Sequence, residues 1–271
     1  DSGLARVIRY NPRLRIEQLL IEKVSQAAAN QRQGRCGRIA PGICYRLYDE
    51  DDFLNRSIFT DPEIMRSSLA SVILRMSSLN LGDVENFPFL DAPFKKFIQD
   101  GYDLLFELHA VEKDRCITDL GRIMAQMPID PIFSRIIIEA KKQHCLSEII
   151  PIIAAISVAD PIERPFDKQE QAEQAQIIFH DPKSGFLSFY RLWQLLQNEV
   201  RNNKMKDFAL FCKKYFLSFT RMREWQEMHK QLLQITDELG YKLNGHEATY
   251  DQIHQSLLSG LLRNIGFKEI D

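Results

Sequence analysis

Ser25-Gln26-Ala27-Ala28-Ala29-Asn30-Gln31-Arg32-Gln33-Gly34-Arg35-Cys36-Gly37-Arg38 is the one stretch of the chain whose residues are selected for chemistry rather than for packing. Ser25 is a good helix N-cap, and the three alanines after it are strong helix formers, so a helix is expected to start here. Gln31 and Arg35 stand four residues apart and Arg38 three further on, which puts all three on one face if the helical path continues. Two fixed cations and an amide on one face suit an anionic ligand. Gly34 and Gly37 each cost about 1 kcal/mol relative to alanine inside a helix, which implies a close approach to the backbone, with phosphate as the natural candidate.

The charge distribution agrees. Residues 1–48 hold nine Lys/Arg against three Asp/Glu, whereas the remainder holds 26 against 34, so a net charge of −2 conceals a basic segment around the motif. Such a segment attracts phosphate, although a solvated basic strand is the plainer alternative. Across 271 residues, 45% hydrophobic and 27% charged, no apolar run reaches the roughly 18 to 20 residues that span a bilayer. The N-terminus has no signal-peptide pattern, and Asp1 is not a natural start, so the chain is expected to be a piece of a longer polypeptide. Five scattered cysteines without a CxxC pair point to a reducing, cytosolic compartment and no zinc site.

Outward from the motif, Leu4–Tyr10 and Leu14–Ile21 interleave apolar residues with arginines around the turn pair Asn11-Pro12, which predicts a β-hairpin. Arg6, Arg9, Arg13 and Arg15 line its strands and tip, either to meet nucleic-acid phosphates or to solvate an exposed edge. On the other side, Pro41-Gly42 turns the chain into Ile43–Tyr48, six alternating residues that predict a strand. The acidic run Asp49-Glu50-Asp51-Asp52 reads as a boundary. Beyond it come helix signals at Asp61-Pro62, Asp91-Pro93 and Leu120 (capped by Asp119), with extended Cys116-Ile117-Thr118 between them. That order fits a winged-helix module or a plain three-helix bundle. From Asp130-Pro131 and Ser147 onward the reading is helical throughout, with stripes such as Ile149/Ile150/Ile153, Phe189/Trp193/Leu196 and Met222/Trp225/Leu232 marking core. The expected fold is therefore mainly α, a hairpin-bearing α/β portion followed by two helical modules. No GxxxxGK[ST], HExxH or GxSxG motif is present, and the six histidines show no ligand spacing.

Gln31-Arg32-Gln33-Gly34-Arg35-Cys36-Gly37-Arg38 resembles motif VI of superfamily 2 helicases, QRxGRxGR, and with Ser25 and Ala27 it matches the longer DEAH-box form, SxAxxxQRxGRxGR. The hairpin, the Pro41-Gly42 turn, Leu69–Met76, Asn80-Leu81-Gly82-Asp83 and Met222-Arg223-Glu224-Trp225 resemble the same family in the same order, over essentially the whole chain. The likeness is to DEAH-box RNA helicases of the bacterial HrpA type. It implies that residues 1–58 are the end of the second RecA-like domain, 59–127 a winged-helix domain and 128–271 the helical bundle called the ratchet. It also implies that Arg35 and Arg38 act as arginine fingers on ATP bound with Mg2+ and that Gln31 helps place the attacking water. Arg32 points away from those residues on a helical path and is expected to make an interdomain or structural pairing. The hairpin, with Arg13 and Arg15, would act as a wedge or strand guide for single-stranded RNA, and the ratchet helices would line an RNA channel with little sequence preference. The expected partners are RNA and a ribosome or ribonucleoprotein, with no membrane, and the expected state is a monomer. Walker A and DEAH motifs are not in this sequence, so the chain by itself is expected to bind no nucleotide tightly and to be inactive. The competing expectation is a non-catalytic RNA- or protein-binding module in which the motif is a relic.

Overall fold

In the computed structural model, which describes residues 1–11, 16–201 and 208–266, the chain forms two units, residues 1–125 and 126–271. It is mainly helical with one β-hairpin.

The first unit opens with the expected hairpin. β1 (Leu4–Asn11) runs antiparallel to β2 (Ile16–Lys23), with Leu4 opposite Lys23 and Ile8 opposite Leu19. Arg13 and Arg15 lie outside the described residues. Tyr10, at the far end of β1, is buried: its hydroxyl hydrogen-bonds the Asp100 carboxylate, its N–H donates to the Arg66 carbonyl at 2.8 Å, and its ring meets Phe97. Helix α1 (Gln26–Cys36) follows, and α2 (Glu50–Leu54) forms on the acidic run read as a boundary. Three acidic residues in its first turn complement the helix dipole, which a boundary reading overlooked.

Two local expectations are corrected here. Ile43–Tyr48 is extended but belongs to no β-ladder among the described residues, where it makes two backbone bonds, from the Asp1 nitrogen to the Tyr45 carbonyl and from the Leu47 N–H to the Asp1 carbonyl. Alternation sets which way side chains point, but a strand needs a neighbour along its length. The Asp61-Pro62 signal yields one 3-10 turn at Glu63–Met65 with no side-chain cap, while Asp61 pairs with Arg9; the helix proper, α3 (Ala70–Ser78), starts later.

Helix α3 packs on α4 (Lys95–Glu107), burying Leu69, Ile73, Ile98 and Leu105. A Cβ on Gly101 would sit 2.6 Å from Ile73 Cδ1 and 3.2 Å from the Ala70 nitrogen, so that glycine sets how closely the helices approach. An antiparallel bridge between Val111 and Ile117 precedes α5 (Asp119–Gln126). Thr118 caps α5, accepting from Gly121 N at 2.9 Å, in place of the expected Asp119.

In the second unit, α6 (Pro131–Lys142) is capped by Asp130 as its sequence predicts, with the Ile132 N–H donating to Asp130 Oδ1 at 2.7 Å. Next come α7 (Leu146–Ile156), α8 (Gln169–Gln176), α9 (Gly185–Arg201), α10 (Phe208–Lys214), α11 (Phe219–Glu238) and α12 (Tyr250–Leu258). Helix α7 is buried all round, with Ile149, Ile150, Ile152 and Ile153 fully covered, so it is the core against which α6, α9, α11 and α12 lie. Pro151 inside α7 directs its carbonyl to the Trp225 indole N–H at 2.9 Å. Trp225 is fully buried and meets Phe189 and Trp193, so the aromatic stripes are core. Among the described residues, no helix is long and apolar enough to cross a membrane.

Candidate nucleotide-facing helix

Helix α1 starts where its sequence predicts. Ser25 Oγ accepts from Ala28 N at 3.2 Å and bonds Thr60 Oγ1 at 3.0 Å. The next two orphan N–H groups are also satisfied, Gln26 N by the Ser57 carbonyl and Ala27 N by that of Ile58, both at 2.9 Å. The helix N-terminus therefore offers no free amides to an anion at those positions, and any anionic contact must come from side chains further along.

Those side chains divide by face. Ala29 is fully buried, and Arg32 turns inward, its guanidinium donating to Asp1 Oδ1 at 2.9 Å and to the Leu4 carbonyl at 3.1 Å. Asn30 and Gln33 both accept from Arg46, at 2.7 and 3.0 Å, while Arg46 stacks on Phe53. On the opposite face Gln31 and Arg35 are exposed and, among the described residues, neither has a hydrogen bond or ion pair. One helical turn separates them, as expected.

Arg38 departs from expectation. The helix ends at Cys36 with Gly37 as its C-cap, so Arg38 lies beyond it in a bend, exposed and likewise unpaired among the described residues. The chain must turn back at Pro41-Gly42, where a Cβ on Gly42 would sit 2.3 Å from the Cys36 carbonyl oxygen, so the path leaves the helix axis before Arg38 can join the shared face. By contrast, a Cβ on Gly34 or Gly37 would meet nothing within 4 Å among the described residues, so internal packing gives no reason for either glycine.

The basic hairpin is less free than its composition suggests. Arg9 is clamped by Glu22 and Asp61, hydrogen bonds that raise its pKa still further, while Arg6 is exposed. Sequence reasoning missed Arg46 and Arg56, which organise the surroundings of α1 and carry no motif signal. Among the described residues no cluster of three or more His, Cys, Asp or Glu could hold a metal.

Residues 102–129 match the winged-helix model of the helicase associated domain (HA2), and residues 130–219 match its ratchet-like model. Over its whole length the chain is 48% identical to "ATP-dependent RNA helicase HrpA" of Escherichia coli, and 46% identical to "ATP-dependent RNA helicase HrpA homolog" of Haemophilus influenzae, of which it covers 21% in each case. The chain corresponds to a region of HrpA-type DEAH RNA helicases. Over 99% of its length it is also 30% identical to "Pre-mRNA-splicing factor ATP-dependent RNA helicase prp22" of Schizosaccharomyces pombe, covering 23% of that protein. The chain thus spans about a fifth of the length of these helicases, including the region of their HA2 winged-helix and ratchet-like domains.

Proposed function

We propose that this region serves an ATP-dependent RNA helicase in two ways: α1 presents Gln31 and Arg35, with Arg38 just beyond, to the phosphates of ATP held by another domain, and the helical modules grip RNA. In this reading residues 1–58 complete a RecA-like domain, 59–127 form the winged helix and 128–271 the ratchet. The observation that carries it is that Gln31 and Arg35 stand exposed and, among the described residues, unpaired on a helix whose other face is pinned by Ser25, Gln26 and Arg32.

In phosphoryl transfer, negative charge spreads over the γ-phosphoryl oxygens as the bond to the leaving group breaks. A guanidinium held by a fixed helix stabilises that charge without reorganising, and it does so only when the two domains close. Arg35 is placed for this role, Arg38 supports it from the bend, and the Gln31 amide orients the attacking water. Mg2+ bound with the nucleotide would neutralise part of the phosphate charge. Closure on ATP would thereby couple hydrolysis to the hold on RNA, through backbone contacts with little sequence preference.

The test is ATP turnover of the full-length helicase carrying this region, with and without RNA. RNA is expected to stimulate turnover, and Arg35→Ala to lower it on the order of 10³-fold, within the arginine-finger range. Near-normal turnover of Arg35→Ala would sink the reading and favour a non-catalytic RNA- or protein-binding module. The 271-residue chain alone is expected to hydrolyse no ATP.

A further inference from the structure

We propose that Arg56, outside the motif, is a positioning residue that sets the tilt of α1 and hence where Arg35 delivers its charge; this deepens the reading of Arg35 as phosphate-facing and rests on it. The Arg56 side chain is only 5% exposed, unusually low for arginine. Its Nε donates to Asp52 Oδ2 at 3.0 Å, its Nη1 to the Gly3 carbonyl at 2.9 Å and to the Val24 carbonyl at 3.4 Å, and its plane lies 3.9 Å from the Tyr48 ring centroid. Gly3 immediately precedes β1 and Val24 immediately follows β2, so one guanidinium closes the open end of the hairpin.

The backbone around the same residue holds the first turn of α1. The Leu54 and Arg56 carbonyls accept from Gln26 Nε2 at 3.1 and 2.9 Å, the Ser57 and Ile58 carbonyls take the Gln26 and Ala27 N–H groups, and Thr60 bonds Ser25. Residues 54–60 are thus the seat of the helix, and Arg56 fixes that seat to the hairpin. The sequence makes room for this contact at Gly3, whose φ is +69° and where a Cβ would lie 2.7 Å from Arg56 Nη1 and Nη2 and from the Tyr48 ring.

Leverage turns this anchor into a functional one. At about 1.5 Å rise per residue, Arg35 lies about 13 Å along the helix from Gln26, so a tilt of about 5° at the seat displaces it by about 1 Å. A displacement of about 1 Å at a catalytic group is enough to lower a rate by about 10²-fold. Lysine cannot replace the fork, since a single ammonium does not reach Asp52 and the two carbonyls with the same planar geometry.

The experiment compares Arg56→Lys, Gly3→Ala, Arg35→Ala and the double variant Arg56→Lys/Arg35→Ala in the full-length helicase, with a thermal melt of each to confirm folding. Arg56→Lys is expected to lower kcat by about 10- to 100-fold while leaving the KM for ATP and the RNA affinity within about twofold, and Gly3→Ala, which displaces the guanidinium without removing it, to do the same. Because Arg56 acts through Arg35, adding Arg56→Lys to Arg35→Ala should lower kcat by less than about twofold further. Near wild-type kcat in folded Arg56→Lys, or losses that multiply in the double variant, overturn the inference while a dead Arg35→Ala leaves the motif reading standing. Normal turnover of Arg35→Ala overturns both.

Discussion

Arg32 and Arg56 donate to the carbonyls of adjacent residues, Leu4 and Gly3, one guanidinium coming from α1 itself and the other from the segment that seats its first turn. The motif helix is therefore referenced twice to the start of β1, and both contacts lie away from the face that carries Gln31 and Arg35.

Arg32→Ala should loosen this reference without touching the exposed face. Charge-assisted hydrogen bonds to a carbonyl and a carboxylate contribute about 1.5–3 kcal/mol each when buried, but the Arg32 side chain is 37% exposed, so a loss of about 1 kcal/mol is expected. Urea unfolding of the chain measures it, and an unchanged midpoint would show that the contact is incidental.

Gly101→Leu should be far more damaging than its chemistry suggests. The backbone of α3 stands 3.2 Å from the new Cβ, and only the Ile73 methyl has freedom to move aside. Overpacking of this kind costs about 1–3 kcal/mol, and the rest of the leucine side chain places this case at the upper end. A thermal melt decides the matter, with retained stability arguing that α3 and α4 slide apart easily.

Trp225 offers a contrast between volume and hydrogen bonding in the second unit. Trp225→Ala should cost about 3–5 kcal/mol by opening a cavity beside α7, whereas Trp225→Phe, which loses the indole N–H to Pro151 but keeps a ring, should cost about half as much. Denaturant titration of the two variants separates these contributions. Equal losses would show that the ring kept by phenylalanine contributes nothing, contrary to the cavity account.

His229 gives the second unit a pH dependence. Half-buried beside Trp193, its imidazole is pushed down to about 4 by desolvation, below the ordinary value of 6.5. Between these values the unfolded chain binds a proton that the folded chain refuses, so stability is complete above pH 6.5 and falls as the pH drops toward 4. A full shift would be worth about 3 kcal/mol; with one edge still solvated, a loss on the order of 1–2 kcal/mol is expected. His229→Gln should flatten the stability curve in this window, and a wild-type curve already flat there would refute the assignment.

The sequence by itself determined the features that depend on neighbours a few residues away. The Ser25 cap and alanine run specified the start of α1, the alternation on either side of Asn11-Pro12 specified the hairpin, and the Asp130-Pro131 signal specified the start of α6. The pairing of Gln31 with Arg35 on one face was legible for the same reason, since helix geometry fixes it.

Only the tertiary structure decided what depends on groups far apart in the chain. Close approach of Gly42 to Cys36 ends α1 before Arg38 reaches the shared face, Asp61 pairs with Arg9 across the fold and caps no helix, and among the described residues Ile43–Tyr48 has two backbone bonds to Asp1 and no strand partner. The seat of the motif helix was equally hidden. Arg56 lies 53 residues from Gly3 and 32 from Val24, and a hydrogen bond across such separations leaves no periodicity behind, because it is set by where two backbones meet in space and not by the pattern of either.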